Sequence, residues 1–295
     1  MRSRLNVNKD KDKKQVLKWW HFLLFFLMFA VITYFLFPPH IITSYLETAK
    51  PNSVSRAYLR NMVAKYPNNP TYKILLANQE LSVGNITYAQ ELVTPYFSND
   101  PKTAVGWLAA WSQYLINRTQ AFQLPEHNPE RLQFEAKMKT QIQLLTRSPY
   151  LGTDEALTLA GDATALGLIK EAVSIYQRLV TTPPNAVPAK TFAKAGETAL
   201  FISDYRASAD LYFAAQDRTI DRVKQREYFM KAIQSLERGN LTKEALDAAN
   251  THLGDLSDDS PTLSFLANLA ISANQPETAQ DYAMRMLKLE YRSNP

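Results

Sequence analysis

The residue types that most often perform chemistry are sparse in this chain and poorly spaced for it. The histidines occur at His21, His40, His127 and His252, and no two of them share a helix face at the spacing of metal ligands. The chain has no cysteine, which excludes disulfides, cysteine-ligated zinc and thiol nucleophiles. We therefore predict no metal site, no cofactor site and no catalytic residue, and a protein that is not an enzyme.

Two further patterns have structural explanations. The acidic pairs Asp154-Glu155 and Asp258-Asp259 stand at predicted helix starts, where carboxylates stabilise the positive end of the helix dipole. Trp107 and Trp111 are four residues apart and therefore lie on one face of a helix. We interpret the acids as helix caps and the tryptophans as a packed pair, since neither pattern predicts a desolvated cleft.

Basic residues are concentrated at the start of the chain. Residues 1–37 hold seven lysines and arginines against two aspartates, which accounts for the whole formal net charge of +5. The remaining residues are balanced in charge, whereas a nucleic-acid-binding domain carries a basic stripe on its folded part. We therefore predict that the chain does not bind nucleic acid.

The run 19–37 is apolar almost throughout, and His21 is its only ionisable residue. As a helix it would be roughly 28 Å long, close to the ~30 Å hydrocarbon core of a bilayer. A secretory signal peptide has a shorter apolar region that ends in small residues. The sequence therefore predicts a single transmembrane helix at 19–37, between a basic cytoplasmic tail at 1–18 and a linker at 38–50.

The flanks of this run predict its orientation. All seven basic residues of the first segment precede the run, and the next one after it is Lys50. By the positive-inside rule, the tail stays in the cytoplasm and residues 38–295 cross the membrane. In a Gram-negative bacterium the chain would be a single-pass protein of the inner membrane, with its larger part in the periplasm.

A repeated spacing organises the rest of the chain. A small residue recurs and is followed, seven residues later, by a residue that tolerates a turn. The pairs are Ala77 and Gly84, Ala160 and Gly167, Gly196 and Ser203, Ala232 and Gly239, and Ala267 and Asn274. This spacing predicts one helical hairpin per unit, with a small residue where two helices cross and a positive φ in the turn.

This pattern resembles the tetratricopeptide repeat (TPR), a unit of roughly 34 residues with two antiparallel helices. The best match is Pro70–Pro101, with Leu76-Ala77, Gly84 and Ala89 at the family's positions. The resemblance implies an all-α fold in which the transmembrane helix precedes a TPR-like α-solenoid over 51–295. Residues 51–69 are expected to form an unpaired helix. Residues 102–150 are expected to form a degenerate hairpin with an inserted loop at Thr119–Asn128.

The resemblance also implies a place for partners, because first helices of such repeats line a concave groove. The positions that correspond to this surface are Asn78, Leu81, Lys190, Glu197, Phe201, Arg226, Phe229, Leu236 and Asn268. Some of these repeats clamp a C-terminal carboxylate with a lysine and an asparagine. Here Ile74 stands at the lysine position, which argues against a receptor for chaperone tails.

The last predicted helix, about Glu277–Tyr291, suggests a second surface. Its apolar residues exceed what its own partner helix would cover, and no predicted helix follows it. We expect Tyr282 and Met286 to remain exposed there and to dock a partner, a second copy of the chain in a homo-oligomer, or a further segment.

The architecture looks like the membrane-anchored repeat proteins of polysaccharide secretion, including the amino-terminal part of Pel-type export proteins, and like the ancillary periplasmic subunit of the Sec translocon. This resemblance implies a periplasmic scaffold for protein–protein interactions in envelope biogenesis or in polysaccharide or protein export. Two alternatives stay open: a glycan-active enzyme on a helical toroid, and a membrane-bound regulator that acts through its cytoplasmic tail. The residues do not identify the partner.

Overall fold

The protein is described from a computed structural model that covers residues 19–36, 52–97 and 100–293. In these ranges every regular element is a helix. The α-helices are α1 (Trp19–Leu36), α2 (Ser53–Lys65), α3 (Pro70–Ser82), α4 (Ile86–Val93), α5 (Ala104–Gln123), α6 (Pro129–Leu145), α7 (Thr153–Ala165), α8 (Ile169–Leu179), α9 (Ala189–Phe201), α10 (Tyr205–Gln216), α11 (Arg222–Arg238), α12 (Thr242–His252), α13 (Ser260–Ser272) and α14 (Pro276–Ser293). Short 3-10 helices occupy Thr94–Tyr96 and Gly254–Asp258.

The chain divides into two compact units, Met1–Gly84 and Asn85–Pro295. The best TPR match, Pro70–Pro101, is divided between them, because α3 belongs to the first unit and α4 to the second. The second unit contains the successive helix pairs α5–α6, α7–α8, α9–α10, α11–α12 and α13–α14. The fold is therefore all-α and TPR-like.

Helix α1 forms within the apolar run, as the sequence predicts. Its described side chains, Trp19 to Ile32, are all exposed. None of the helices in the described residues has both the length and the apolar character of a membrane span. The transmembrane anchor at 19–37 stays a prediction, and its flanks at 1–18 and 38–50 lie outside the described residues.

Helix α2 is paired, although the sequence predicted an unpaired helix at 51–69. Its Ser55 hydroxyl donates to the Gln79 side-chain oxygen of α3 at 3.0 Å, and Arg60 forms an ion pair with Glu80 at 2.7 Å. The Glu80 side chain is fully buried. The prediction was wrong because it relied on the repeat spacing, whereas polar side chains of the two helices hold this pair together.

The turns within the hairpins have a positive φ at the predicted residues, except in one unit, where the next residue has it instead. Gly84, Gly167, Ser203 and Asn274 have positive φ angles of 86°, 76°, 59° and 58°. In the fourth unit, Asn240 has the positive φ of 56° in place of the predicted Gly239. After each of the last four turn residues, the next backbone N–H donates to the carbonyl oxygen five residues earlier, which caps the end of the first helix. These bonds run from Leu168 to Ala163, from Asp204 to Ala199, from Leu241 to Leu236 and from Gln275 to Ala270.

The helices of a pair cross closely where the sequence places small residues. The backbone of Gly196 in α9 faces Tyr212 of α10, and a β-carbon at Gly196 would lie 3.0 Å from two carbons of that ring. Nearby, the Ser208 hydroxyl of α10 donates to the Gly196 carbonyl oxygen at 3.0 Å. Because Tyr212 is itself buried, the ring has little room to move away.

Helix α5 is longer than the sequence predicted. The loop expected at Thr119–Asn128 is wrong in its first half, because α5 continues to Gln123 and Ala121 is fully buried. The end of the loop is as predicted, since Asn128 caps α6 by accepting the Glu130 N–H at 2.8 Å.

Helices α5 and α7 are joined through one buried carboxylate. Asp162 of α7 accepts hydrogen bonds from the Tyr114 hydroxyl and from the Arg118 guanidinium of α5. Burial and the bond to this carboxylate raise the pKa of Tyr114 above its usual range.

Trp107 and Trp111 stack with ring centroids 6.0 Å apart, so the predicted packed pair is confirmed.

We predict opposite effects of the same substitution at two helical glycines. Gly161→Ala should raise the free energy of unfolding by about 0.5–1 kcal/mol, because no atom lies within 4 Å of the new methyl group. Gly196→Ala should lower it by about 1 kcal/mol or more, because the methyl group meets the Tyr212 ring. Urea denaturation followed by circular dichroism measures both. If both substitutions changed the free energy of unfolding by the same sign and size, the tight crossing of α9 and α10 would be contradicted.

Candidate functional site

Three residues predicted to face a partner lie in the core. Phe229 is 0% exposed, Tyr282 2% and Leu236 5%. The Phe229 ring packs edge-to-face on Phe213, and the Tyr282 hydroxyl donates to the Asn250 side-chain oxygen at 2.8 Å. Their predicted surface placement was wrong, because the repeat pattern gives the helix face but not how deeply the adjacent helix covers it.

The other predicted residues are accessible but dispersed. Arg226 forms an ion pair at 3.1 Å with Asp259, the N-cap of α13, so its charge is already engaged. Glu197 lies 3.8 Å from the Lys231 ammonium. Lys190, Phe201 and Asn268 are exposed, and Asn78, Leu81 and Met286 are half-buried. Within the second unit, the structure does not bring the predicted residues together into one site.

A groove that the sequence analysis did not predict lies between α4, α5 and α6. Its volume is about 530 Å³. The lining residues are Gln90, Thr94, Phe97, Gln113, Asn117, Lys137, Thr140 and Gln141. Four of them carry side-chain amides, so we name it the amide groove.

Helical spacing places these side chains on facing surfaces. Gln113 and Asn117 are four residues apart on α5, and both are buried. Lys137 and Gln141 are four residues apart on α6. Residues at this spacing share one face of a helix. The walls of the groove are thus one face of α5 and one face of α6, with Gln90 of α4 contributing at the edge.

The four amides form a hydrogen-bonded chain across the groove. Gln90 and Gln113 bond reciprocally, with nitrogen-to-oxygen distances of 2.8 Å and 3.1 Å. The Gln113 nitrogen also donates to the Asn117 oxygen at 3.4 Å, and the Asn117 nitrogen donates to the Gln141 oxygen at 2.9 Å. Gln90, Gln113 and Asn117 each donate and accept within this chain of amides, whereas Gln141 accepts, so the bonds fix the orientation of the four side chains.

The far end of this chain offers hydrogen-bond donors to a ligand. The Gln141 nitrogen donates to no residue that the structure describes, and the Lys137 ammonium lies 5.1 Å from the Phe134 ring centroid. No carboxylate is among the described lining residues. The groove therefore suits a ligand that presents acceptor oxygens. The glycan-active alternative, which requires a pair of carboxylates, gains no support from this groove.

A second cavity lies beside α12, and its His252 is engaged in packing. His252 stacks on the Phe213 ring at 3.9 Å, and its carbonyl oxygen accepts from the Gln216 side chain at 2.9 Å. Burial raises the pKa of the neighbouring Asp210, an effect that His252 opposes. Among the described residues, no three potential metal ligands cluster.

The amide groove was missed because it lies in the unit where the repeat resemblance is weakest. Groove positions were transferred from better-matching units, and the degenerate hairpin at 102–150 was left without candidates. One local signal was present: Gln113 and Asn117 place two amides on the face of α5 that a TPR-like repeat turns inward. Their bonds to Gln90 and Gln141 depend on tertiary packing that the spacing does not reveal.

The similarities of this chain to known proteins are confined to solved structures. No protein-family model and no curated protein matches the chain. A solved structure titled human IFIT1 dimer with PPP-AAAA is 18% identical with a TM-score of 0.39, and the match covers 81% of this chain and 51% of that one. The MamA RS-1 ArsTM double mutant is 12% identical with a TM-score of 0.29, and the match covers 62% of this chain and 97% of that one.

The chain thus spans about half the length of the IFIT1 chain that it matches. Both TM-scores lie below 0.5, so neither similarity supports an argument about function. The TPR-like fold follows instead from the helix pairs and from their positive-φ turns.

We predict that the amide chain stabilises the fold. Gln113→Met keeps the side-chain length but removes the donor to the side-chain oxygens of Gln90 and Asn117, which should lower the free energy of unfolding by about 1–3 kcal/mol. Gln143→Met is the matched control, since that exposed amide bonds only to Glu171, and it should change stability by less than about 0.5 kcal/mol. Equal urea midpoints for the two variants would show that the four hydrogen-bonded amides do not stabilise the fold.

Proposed function

We propose that the chain is a scaffold that binds an extended segment of a partner protein in the amide groove. The observation that supports this proposal is the ordered chain of four amides, which ends at the unpaired Gln141 nitrogen beside Lys137. A site of this composition has donors and acceptors at fixed positions but no group that would act on a bound molecule.

An extended polypeptide has the chemistry that these amides can recognise. Its backbone carries one N–H and one C=O per residue, and in an extended segment these groups have no internal partner. The Gln141 nitrogen can donate to such a carbonyl, and an amide oxygen that already accepts one bond can accept a second one from such an N–H. The amide groove would therefore bind the main chain with little regard to sequence.

Two side chains at the edges of the groove would add selectivity. Lys137 is the only charged residue among the described lining residues, which favours a segment with an Asp or a Glu. Phe97 is 56% exposed and offers an apolar surface to a neighbouring side chain of the ligand. The volume of about 530 Å³ falls in the ordinary range of ligand sites, ~300–1,000 Å³.

We predict that substitutions at the free end of the amide chain weaken peptide binding. The probe is a fluorescent peptide selected on the purified full chain from a random short-peptide display library. Gln141→Ala should raise its dissociation constant about 3- to 10-fold, because one hydrogen bond is worth roughly 0.5–1.5 kcal/mol. Gln143→Ala, on the exposed side of the same helix, should leave the constant unchanged.

A second measurement separates main-chain recognition from side-chain recognition. Replacing single backbone amides of the probe with esters removes an N–H and weakens a carbonyl acceptor, while its side chains stay the same. We expect reduced affinity at one or more positions in the wild type. Full affinity of every ester analogue, together with an unaffected Gln141→Ala variant, would overturn the proposed function.

We propose further that the run 19–37 anchors this scaffold in a bacterial inner membrane, with its N-terminus in the cytoplasm and the repeat domain in the periplasm. The apolar run, the basic residues before it and the exposed apolar side chains of α1 support the proposal. In that location the partner would be a protein of envelope biogenesis or of polysaccharide or protein export.

The orientation has a direct test. A reporter enzyme that is active only outside the cytoplasm, fused after Pro295, should be active in the membrane fraction, because the basic flank retains the tail inside. A matched fusion with a reporter that works only in the cytoplasm should be inactive. Activity of the cytoplasmic reporter at this position would reverse both the orientation and the location.

A further inference from the structure

Helix α14 carries two apolar faces, and only one of them is covered. Ala279 and Tyr282 are buried against the preceding helices. On the opposite face, Met284, Leu287 and Tyr291 are 50%, 59% and 85% exposed. Their spacing of three and then four residues makes them one continuous stripe.

Other second helices of the array do not leave such a stripe exposed. Helix α10, for example, packs on α9 and also on α11 of the next pair, so both of its sides are buried. Among the described residues, no helix packs on the corresponding side of α14. The stripe is therefore the side that a further helix would cover in a continuing array.

The charges beside the stripe change sign along the helix. Glu277 and Asp281 lie in the N-terminal half of α14, and Arg285 and Lys288 lie in the C-terminal half. At intervals of four, four and three residues, all four share one flank of the exposed stripe. Asp281 and Arg285 form an ion pair at 2.7 Å within the helix, and both side chains remain about half exposed.

This arrangement is complementary to itself under a two-fold rotation. When a second α14 lies antiparallel on the first, the acidic half of each helix faces the basic half of the other. The midpoint between Glu277 and Lys288 and the midpoint between Asp281 and Arg285 both lie beside Ala283. One two-fold axis at this point therefore places Glu277 of each copy near Lys288 of the other, and Asp281 near Arg285. A parallel copy would instead place acids against acids and bases against bases.

We propose that a second copy of this chain docks on the exposed stripe of α14, antiparallel and about a two-fold axis that passes near Met284. The contact is isologous, as in most homodimers: Met284 of each copy meets Met284 of the other at the axis, and the two sets of ion pairs flank this contact. In the same register, Leu287 of each copy lies opposite Gln280 of the other, and Tyr291 lies opposite Pro276. One helix on one helix is a small interface, so the dimer is reversible and its affinity falls as salt screens the flanking charges.

Charge reversal tests the pairing in the full chain, purified in detergent. One variant combines Glu277→Lys with Asp281→Lys, and the other combines Arg285→Glu with Lys288→Glu. All four side chains are exposed, so neither variant should unfold. Sedimentation should show a dimer for the wild type, a dissociation constant raised at least tenfold for each variant alone, and association restored in their equimolar mixture.

Each remaining result of this experiment overturns the proposal. A monomeric wild type would show that no second copy covers the stripe, and that its occupant is another protein or a further segment. A dimer that neither variant weakens would be formed elsewhere, for example through α1. Weakening without restoration in the mixture would show that the charges act within the helix and not between copies.

The absence of native cysteine provides an independent geometric test. Met284→Cys places a single thiol next to the proposed axis, so mild oxidation should give a disulfide-linked dimer of the full chain. Asn268→Cys, an exposed position on α13, is the matched control and should stay monomeric on a non-reducing gel. Equal crosslinking of the two variants would contradict an axis at Met284.

Discussion

The close approach of the two helices in each pair is the constraint on which the rest of the structure depends. At the α9–α10 crossing, Gly196 and Ser208 allow the backbone of one helix to touch the Tyr212 ring of the other. In the four pairs from α7–α8 to α13–α14, the turn after the first helix then reverses the chain within a few residues through a residue with positive φ. These two requirements act locally, yet they fix how each pair presents its outer faces to the next one.

Because pairing uses the small residues, the remaining faces carry large and polar side chains. In the pair α5–α6, one face of α5 holds Gln113 and Asn117, and bonds to neighbouring amides satisfy their buried polar groups. On the face of α5 that carries the tryptophans, Tyr114 and Arg118 share Asp162 of the next pair. One helix thus joins two neighbours through polar contacts, and the amide groove is the part of this surface that no helix covers.

The same distinction explains what the sequence could reveal. The hairpins of 153–293 and most of their turns were predictable, because Gly167, Ser203 and Asn274 meet a local backbone requirement. The displacement to Asn240 and the extension of α5 to Gln123 were not, since each depends on how a helix end packs. The site was missed for a related reason: a repeat pattern assigns residues to a face, but burial of Phe229 and exposure of the Gln141 amide are decided by neighbouring helices.

The two proposed surfaces are compatible because they use different elements of the second unit. The amide groove is formed by α4, α5 and α6, whereas the proposed axis runs across α14, and α7 to α13 separate them along the chain. A dimer would therefore carry two free grooves. A groove that reads mainly the peptide backbone gains only modest affinity from each segment, but two grooves held in one assembly raise the effective concentration for a partner with repeated segments. Self-association would then make the protein selective for partners with repeated segments. Recognition of the main chain by a single groove does not provide this selectivity.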